Sequence, residues 1–299
     1  MTNARWVGAG LVALSATSLG AMAIFARVAY AGGADVTAVL FLRFAIAGVA
    51  MAALTLATRR RWPSRRNGTV LALMGGVGYV AQSMCFFSAL RFASAGLVAL
   101  LLYLYPFLVA LIGVAFLGER LTHRRSLAMG AALVGTALTL GEGLGGSGIG
   151  VALGVATAVI YSIYIVAGSR VLAAEDALAS STVVMLAAAL VFGGLVLATG
   201  PRFPVGPAAW MACVAIALVS TAVAMATFFA GIQRLGAADA ATLSTLEPVV
   251  TFILAAVFLG EAVSVLQIIG GAIVLGAVIA LARDGTGSAQ SGSGSTRSR

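Results

Sequence analysis

Long apolar runs alternate with short polar segments along almost the whole chain. Ten such runs can be delimited, at residues 6–29, 36–57, 69–90, 95–117, 126–141, 149–168, 178–199, 208–232, 238–259 and 264–282. Most of them contain about the 20 apolar residues that a helix needs to cross the hydrocarbon core of a bilayer. Because lipid offers no hydrogen-bond partner to backbone groups, such runs must be helical. The pattern therefore predicts an all-α membrane protein with ten transmembrane helices.

The composition agrees with a lipid environment. Of the 299 residues, 61% are hydrophobic and 9% are charged, whereas soluble domains carry about 25% charged residues. After Arg283 the chain consists mainly of Gly, Ser, Thr and Arg, so we expect residues 284–299 to form a disordered cytoplasmic tail. Near the other end, Ala21-Met22-Ala23 imitates a signal-peptide cleavage site. The first apolar run continues beyond it, so we expect this run to be retained as a helix.

The basic residues divide unevenly between the polar segments. All 18 are arginines. With the N-terminus inside, three lie outside (Arg27, Arg91 and Arg202), Arg43 lies within the second run, and 14 lie on the cytoplasmic side, namely Arg5, Arg59, Arg60, Arg61, Arg65, Arg66, Arg120, Arg124, Arg125, Arg170, Arg234, Arg283, Arg297 and Arg299. Basic residues concentrate on the cytoplasmic side of membrane proteins. The division predicts cytoplasmic N- and C-termini, and it relates the net charge of +9 to topology rather than to nucleic-acid binding.

The chain also contains an internal repeat. After a shift of 142 residues, residues 86–119 align with 228–261 without a gap, and 11 of the 34 aligned residues are identical. Pro106 falls on Pro248, and Phe-Leu-Gly-Glu at 116–119 falls on the same four residues at 258–261. We place one five-helix repeat at residues 1–144 and the second at 145–283. Because five is odd, the second repeat must be inverted, as in many secondary transporters that hold substrate between two such halves.

These residues carry a family resemblance. The segment from Tyr105-Pro106 to Gly118-Glu119, repeated from Glu247-Pro248 to Gly260-Glu261, resembles the drug/metabolite transporter superfamily, in particular its ten-helix branch with two EamA-type repeats. The Leu42-Arg43-Phe44 run is similar to the first repeat of that family. The resemblance implies a multi-pass protein of the bacterial inner membrane that exports amino acids, metabolites or drugs by alternating access. The aromatic richness is similar to that of YddG-like amino-acid exporters.

Arg43 and Glu247 are charged residues well inside predicted helices, at the second and ninth apolar runs. A charge at the bilayer centre costs about 2.5–3.5 kcal/mol on insertion scales, so both should face the bundle interior or water. Glu247 could bind a substrate ammonium, take up a coupling proton, or serve packing alone as a hydrogen-bonded acid. For Arg43 and Glu247 we expect charge pairing, with Arg43 in a structural or gating ion pair. Contact of Arg43 with a substrate carboxylate, or with the membrane surface through its long side chain, is the alternative.

Aromatic and small polar residues mark the faces that could line a cavity. Tyr79, Gln82 and Phe86 share one helix face, and Tyr161 and Tyr164 share another. Because tyrosines near the membrane surface usually form interfacial belts, their position inside the spans favours a cavity. Pro106 and Pro248 lie mid-helix and could act as hinges or cavity-shaping kinks, or give simple curvature. We expect the substrate-binding residues to be Met22, Tyr79, Gln82, Ser83, Phe86, Tyr103, Tyr105, Tyr161, Tyr164 and Glu247.

Several function classes are disfavoured. The chain has no nucleotide-binding motif, so we expect no ATP-driven pump. It has no Cys/His cluster, and we expect neither a metal nor a cofactor. An intramembrane enzyme or a structural scaffold fits the residues poorly. We expect a secondary transporter or facilitator that moves small amphipathic metabolites outward, above all aromatic or other neutral amino acids. The alternative is a broad drug or organic-cation exporter coupled to protons. A monomer and a homodimer are both compatible with the sequence.

Overall fold

A computed structural model describes residues 3–117, 123, 126–127, 130–131, 134–135, 138, 147–172, 175–235, 243–244 and 246–291. Every regular element within these residues is a helix. In chain order they are α1 (Asn3–Gly20), α2 (Met22–Ala31), α3 (Val36–Ala57), α4 (Arg65–Leu73), π1 (Met74–Tyr79), α5 (Val80–Ala89), α6 (Ala95–Leu102), α7 (Tyr105–Leu117), α8 (Gly148–Leu172), α9 (Ala177–Thr199), α10 (Pro207–Ala217), π2 (Leu218–Val223), α11 (Ala224–Leu235), α12 (Leu246–Leu259) and α13 (Val265–Ser291).

Among the described residues, seven helical stretches are long and apolar enough to cross a membrane. They are Trp6–Ala31, Val36–Ala57, Arg65–Ala89, Ala95–Gly113, Gly148–Gly168, Ala177–Thr199 and Pro207–Phe228, and each matches a predicted apolar run. Leu246–Leu259 and Val265–Ala277 are shorter apolar helices. The fifth predicted helix, at 126–141, and the predicted repeat boundary at 144 lie largely outside the described residues. The total of ten therefore stays a prediction, while the multi-pass helical architecture is confirmed.

The side chains of α9 are distributed as expected for a helix that faces lipid on one side. Leu190 and Leu197 are 78% and 89% exposed. Ser180 and Thr182 on the same helix are fully buried, and the Thr182 hydroxyl lies 3.0 Å from the Thr55 hydroxyl of α3. Small hydroxyl residues join helices in this way where lipid supplies no hydrophobic driving force.

Helices α3 and α9, which occupy equivalent places in the two repeats, pack antiparallel. At one end the N–H of Asp35, before α3, donates to the carbonyl of Arg202, after α9, at 2.9 Å. At the other end the Arg60 guanidinium, after α3, lies 3.4 Å from the carboxylate of Asp176, before α9. Each helix therefore begins where the other ends.

The packing of the remaining helices is reciprocal in the same way. Helix α1, at the start of the first repeat, packs against α11 and α12 of the second. Helix α8, at the start of the second repeat, packs against α5, α6 and α7 of the first. This exchange of partners is what a two-fold relation between two repeats requires.

Helical geometry is interrupted near the middle of several spans. The π-helices π1 and π2 interrupt the third span of each repeat, at positions that differ by 144 residues. Insertions of this kind occur frequently at functional sites. The helix that contains Pro106 is broken rather than kinked, because Tyr103 and Leu104 form a turn before α7. A proline lacks the N–H that an interior position needs but suits the first turn of a helix, which explains this correction.

Two further predictions concern the second repeat. Pro248 is the third residue of α12 and is buried. The last helix, α13, continues to Ser291, so it extends beyond Arg283, where we expected the disordered tail to begin. Adding a residue to an existing helix costs much less than starting a new one, so a helix can continue past its apolar segment. Residues 292–299 lie outside the described residues.

Candidate functional site

A cavity of about 270 Å³ lies between the two repeats. Pockets for small molecules usually measure about 300–1,000 Å³, so this one suits a small solute. Its lining combines the charged residues Arg43 and Glu247 with aromatic, polar and apolar side chains: Ser15, Leu19, Met22, Arg43, Tyr79, Gln82, Ser83, Phe86, Leu102, Tyr103, Tyr105, Tyr161, Ala224, Met225, Phe228, Ser244 and Glu247.

Nine of the ten residues predicted to bind substrate line this cavity, namely Met22, Tyr79, Gln82, Ser83, Phe86, Tyr103, Tyr105, Tyr161 and Glu247. The tenth, Tyr164, lies behind the lining. Its ring is 5.7 Å from that of Tyr79 and 6.2 Å from that of Tyr161. The structure thus brings the predicted residues together, while their contact with a substrate stays a prediction.

The repeat accounts for most of the lining. Of the seventeen lining residues that the structure describes, twelve form six pairs separated by 142 residues: Leu19 with Tyr161, Gln82 with Ala224, Ser83 with Met225, Phe86 with Phe228, Leu102 with Ser244, and Tyr105 with Glu247. Sequence reasoning had not assigned Leu19, Leu102, Ala224, Phe228 or Ser244 to the site. The 142-residue shift, applied to the predicted residues Tyr161, Gln82 and Phe86, would have found Leu19, Ala224 and Phe228.

Arg43 projects from the middle of α3 and is only 4% exposed. Its Nε donates to the Thr221 hydroxyl of π2 at 3.1 Å, and one of its terminal nitrogens, Nη2, donates to the Tyr79 hydroxyl of π1 at 3.3 Å. Its guanidinium carbon lies 4.9 Å from the ring centre of Phe44 and 5.4 Å from that of Phe87. Both π-helices therefore hold the arginine at the cavity wall.

Glu247 projects from the first turn of α12 as the structure describes it. Its Oε2 accepts a hydrogen bond from the Tyr103 hydroxyl at 2.9 Å. The same hydroxyl lies 2.9 Å from the carbonyl oxygen of Ser244. Since Tyr103 belongs to the turn between α6 and α7, the break before Pro106 places a hydroxyl of the first repeat against the carboxyl group of the second.

The predicted charge pairing is not what the structure brings together. Among the described residues, the ion pairs are Arg27 with Glu261, Arg60 with Asp176, and Arg202 with Asp35. Arg43 and Glu247 line the same cavity, but each is bonded to uncharged hydroxyl groups. The physical reason is that hydroxyl groups hold each side chain at the cavity wall: those of Thr221 and Tyr79 hold Arg43, and that of Tyr103 holds Glu247. The cavity therefore keeps two separate charged groups.

Tyrosine rings form a continuous wall beside Glu247. The ring of Tyr105 contacts that of Tyr161 edge to face at 4.9 Å, and it lies 6.1 Å from the ring of Tyr103. These spacings lie within the range of favourable aromatic pairs. Such a wall offers both ring faces and phenol hydroxyls, which suits apolar or aromatic side chains of varied shape.

A second polar cluster supports the site from the N-terminal end of α6. The Glu261 carboxylate accepts from the backbone N–H of Ala95 at 3.0 Å and lies 3.3 Å from the guanidinium of Arg27. A carboxylate at a helix N-terminus satisfies N–H groups that have no partner within the helix. Glu261 therefore anchors α6, the helix that leads into Tyr103, to the second repeat. Within the described residues, no group of three or more His, Cys, Asp or Glu could hold a metal.

Known proteins resemble about two thirds of the chain or more. A relative in Streptantibioticus cattleyicolor, named "Probable terminal-alkyne amino-acid exporter", is 26% identical over 253 residues, 84% of this chain and 85% of the relative. The "Aromatic amino acid exporter YddG" of Ancylobacter novellus is 31% identical over 205 residues, 66% of this chain and 67% of the relative. One solved crystal structure, 26% identical, has a TM-score of 0.66 and covers 92% of this chain and 98% of its own.

The two-repeat architecture is confirmed by a family model. The model of the EamA-like transporter family matches residues 6–141 and again residues 148–283. The two matches begin 142 residues apart (148 minus 6), which is the shift that aligns the chain with itself. Family and relatives are transporters rather than enzymes. The chain belongs to the EamA-like transporter family, within the drug/metabolite transporter superfamily.

Proposed function

We propose that the protein is a secondary transporter or facilitator that moves small amphipathic metabolites, above all aromatic and other neutral amino acids, outward across the bacterial inner membrane. One observation carries the proposal: a single cavity at the repeat interface combines a buried guanidinium, a carboxyl group and a wall of tyrosines. A zwitterion with an apolar or aromatic side chain complements this combination. The names of two relatives as amino-acid exporters add support.

The carboxyl group of Glu247 would receive the substrate ammonium. Its Oε2 is bonded to Tyr103, and its second oxygen, Oε1, has no acceptor role with any described residue, so it can take an N–H donor. The tyrosine wall beside it would contact the substrate side chain. Ring faces and phenol groups tolerate side chains of several shapes, which is consistent with a transporter for a class of metabolites rather than for a single one.

Alternating access follows from the packing of the repeats. The antiparallel α3–α9 pair and the reciprocal contacts of α1 and α8 support an inverted relation between the two halves. Two inverted halves have two packings of similar free energy, one open to each side of the membrane. With both termini cytoplasmic, as the arginine distribution predicts, the inward-open packing would load substrate for export.

Counterflow in proteoliposomes tests the proposal. Purified protein is offered a panel of neutral amino acids, organic amines and sugar phosphates. We expect exchange of amino acids and none of sugar phosphates. Exchange of organic cations without any amino acid would contradict the proposal.

A proton-coupled exporter of organic cations is the second candidate, because Glu247 lies beside the rings of Tyr103, Tyr105 and Tyr161. Carboxylates and aromatic faces both attract cations. Glu247→Gln separates the two candidates. In a cation exporter this change abolishes both transport and its dependence on a proton gradient, whereas an amino-acid facilitator keeps pH-independent flux at reduced affinity.

A further inference from the structure

Arg43 carries a charge that the described part of the protein does not neutralise. A guanidinium remains protonated in proteins, and this one is 4% exposed. Its hydrogen-bond partners are the uncharged hydroxyls of Thr221 and Tyr79. No carboxylate among the described residues forms an ion pair with it. A charge held within a membrane span is costly, and such residues mark binding sites and ion pathways.

The orientation of the guanidinium is fixed from several sides. Its carbon lies 4.9 Å from the ring centre of Phe44, 5.4 Å from that of Phe87 and 5.9 Å from that of Tyr79. Aromatic faces attract a cation electrostatically. They do not replace an anion as the acceptor of its hydrogen bonds. The rings therefore hold and partly stabilise the charge, but they leave its hydrogen-bond donors available.

Thr221 determines which edge of the guanidinium stays available. Its hydroxyl donates to the carbonyl of Ile216, five residues earlier, at 2.9 Å. A hydroxyl has a single hydrogen, so only its lone pairs can face Arg43, whose Nε donates to it at 3.1 Å. The π-helix π2 thus creates the acceptor that holds Nε.

With Nε and Nη2 engaged, the remaining nitrogen, Nη1, has no hydrogen-bond acceptor among the described residues. Arg43 belongs to the lining of the cavity. Its donors are well suited to a carboxylate, which forms short and strong charge-assisted bonds with a guanidinium. The cavity therefore offers an anion subsite at Arg43, separate from the carboxyl group of Glu247.

We propose that the Nη1 group of Arg43 is the subsite for the carboxylate of a zwitterionic amino acid, and that Thr221 is a positioning residue that orients this group. The inference rests on the proposed function, because it assigns a substrate group to the same cavity. It goes further in that it replaces an ion pair of Arg43 with a direct contact to the substrate and gives π2, which packs against α3, a role in orienting the arginine.

The test measures inhibition of L-phenylalanine counterflow in proteoliposomes by two analogues. One is 3-phenylpropionate, which has the carboxylate but no ammonium, and the other is phenethylamine, which has the ammonium but no carboxylate. In Thr221→Val, which keeps the shape and removes the acceptor, we expect the inhibition constant of 3-phenylpropionate to rise about tenfold, as for a lost hydrogen bond to a charged group. That of phenethylamine should change less than about twofold.

Two variants control for a loss of structure. Thr221→Ser, which retains the hydroxyl, should rescue the affinity for 3-phenylpropionate. Thr55→Val removes a buried hydroxyl that bonds to Thr182 away from the cavity, and it should leave both inhibition constants unchanged. If only aliphatic amino acids exchange, L-leucine with 4-methylpentanoate and isopentylamine replaces the aromatic series.

The outcomes separate the two proposals. An equal rise for both analogues in Thr221→Val, or no inhibition of the wild-type protein by 3-phenylpropionate, overturns the carboxylate subsite while amino-acid transport stands. Failure of the wild-type protein to exchange any amino acid overturns the proposed function and the subsite together.

Discussion

The two repeats supply the two walls of one cavity, yet they supply different chemistry. Tyr105 of the first repeat corresponds to Glu247 of the second, and the polar Gln82 corresponds to the apolar Ala224. Arg43, which lines the cavity, corresponds to Met185, which is buried in the hydrophobic core. The common backbone arrangement therefore places equivalent positions around the cavity, and the differences between them make the cavity charged at two separate points.

The two π-helices occupy equivalent places in the two repeats, but their sequences differ. In π1 the sequence is MGGVGY, and a methyl group added at Gly75 would lie 2.8 Å from the Cα of Val184 in α9. In π2 the sequence is LVSTAV, and the Thr221 hydroxyl holds Arg43. Both π-helices therefore give Arg43 a hydroxyl partner, and π1 in addition permits close helix packing at Gly75. The absence of a side chain at Gly75 therefore permits the close approach of π1 to α9.

Replacing Arg43 by the residue at the equivalent position of the second repeat should have the largest effect on transport. Arg43→Met reproduces the residue at the equivalent position, 185, and removes the proposed carboxylate subsite. We expect amino-acid counterflow to fall at least about 100-fold, since a lost charged anchor is worth several kcal/mol. The melting temperature in detergent should equal or exceed that of wild type, because an uncompensated buried charge is replaced by an apolar side chain. Retention of more than a tenth of the flux would contradict the role of Arg43.

Substitutions at two neighbouring glycines test the packing role of π1. In Gly75→Ala the new methyl group meets the backbone of Val184, so we expect destabilisation of about 1–3 kcal/mol. In Gly76→Ala the nearest atom would be a flexible methyl group of Val191, 3.4 Å away, and stability should be unchanged or slightly higher. Thermal unfolding of the two variants measures the difference, and equal melting temperatures would show that π1 does not depend on this contact.

A pair of equivalent phenylalanines tests whether both walls contact the substrate. Phe86→Leu and Phe228→Leu should each raise the KM for L-phenylalanine about threefold, the size expected for one aromatic contact. Phe258→Leu is the matched control, because Phe258 is 69% exposed on the outside of α12. An effect at Phe86 with none at Phe228 would mean that substrate contacts one repeat only.

The smallest effect on stability is expected at the contact between Asp35, before α3, and Arg202, after α9. Hydrogen bonds from the backbone and side chain of Arg202 lower the pKa of Asp35 below its ordinary value. A lowered pKa in the folded state gives stability that is present above the unfolded pKa, near 4, and is lost as pH falls through the folded value. Asp35→Asn should lower the melting temperature by at most about 2 °C at pH 7, and the difference from wild type should disappear as the pH falls through the lowered pKa of Asp35. A difference that persists at low pH would exclude this carboxylate as its cause.

Much of the site could be predicted because the sequence patterns that mark it are local or occur in both repeats. Apolar runs located the spans, and the depth of Tyr79, Tyr105 and Tyr161 within them indicated a cavity. The partners of Arg43 could not be predicted in the same way. Thr221 lies 178 residues away from it, and its orientation depends on a π-helix that has no distinctive local sequence. Two charged residues within spans invited the prediction of a pair, whereas nearby hydroxyls hold each of them.

The sequence by itself determined that the chain is helical, that it belongs in a bilayer and that it consists of two related halves. Lipid forces backbone groups to pair within each segment, so these properties follow from local composition and from the 142-residue shift. Only the tertiary structure decided which faces converge, where the helices break or widen, and that Arg43 and Glu247 remain apart in one cavity. Those features depend on how helices distant in sequence pack, and many arrangements satisfy the same apolar pattern.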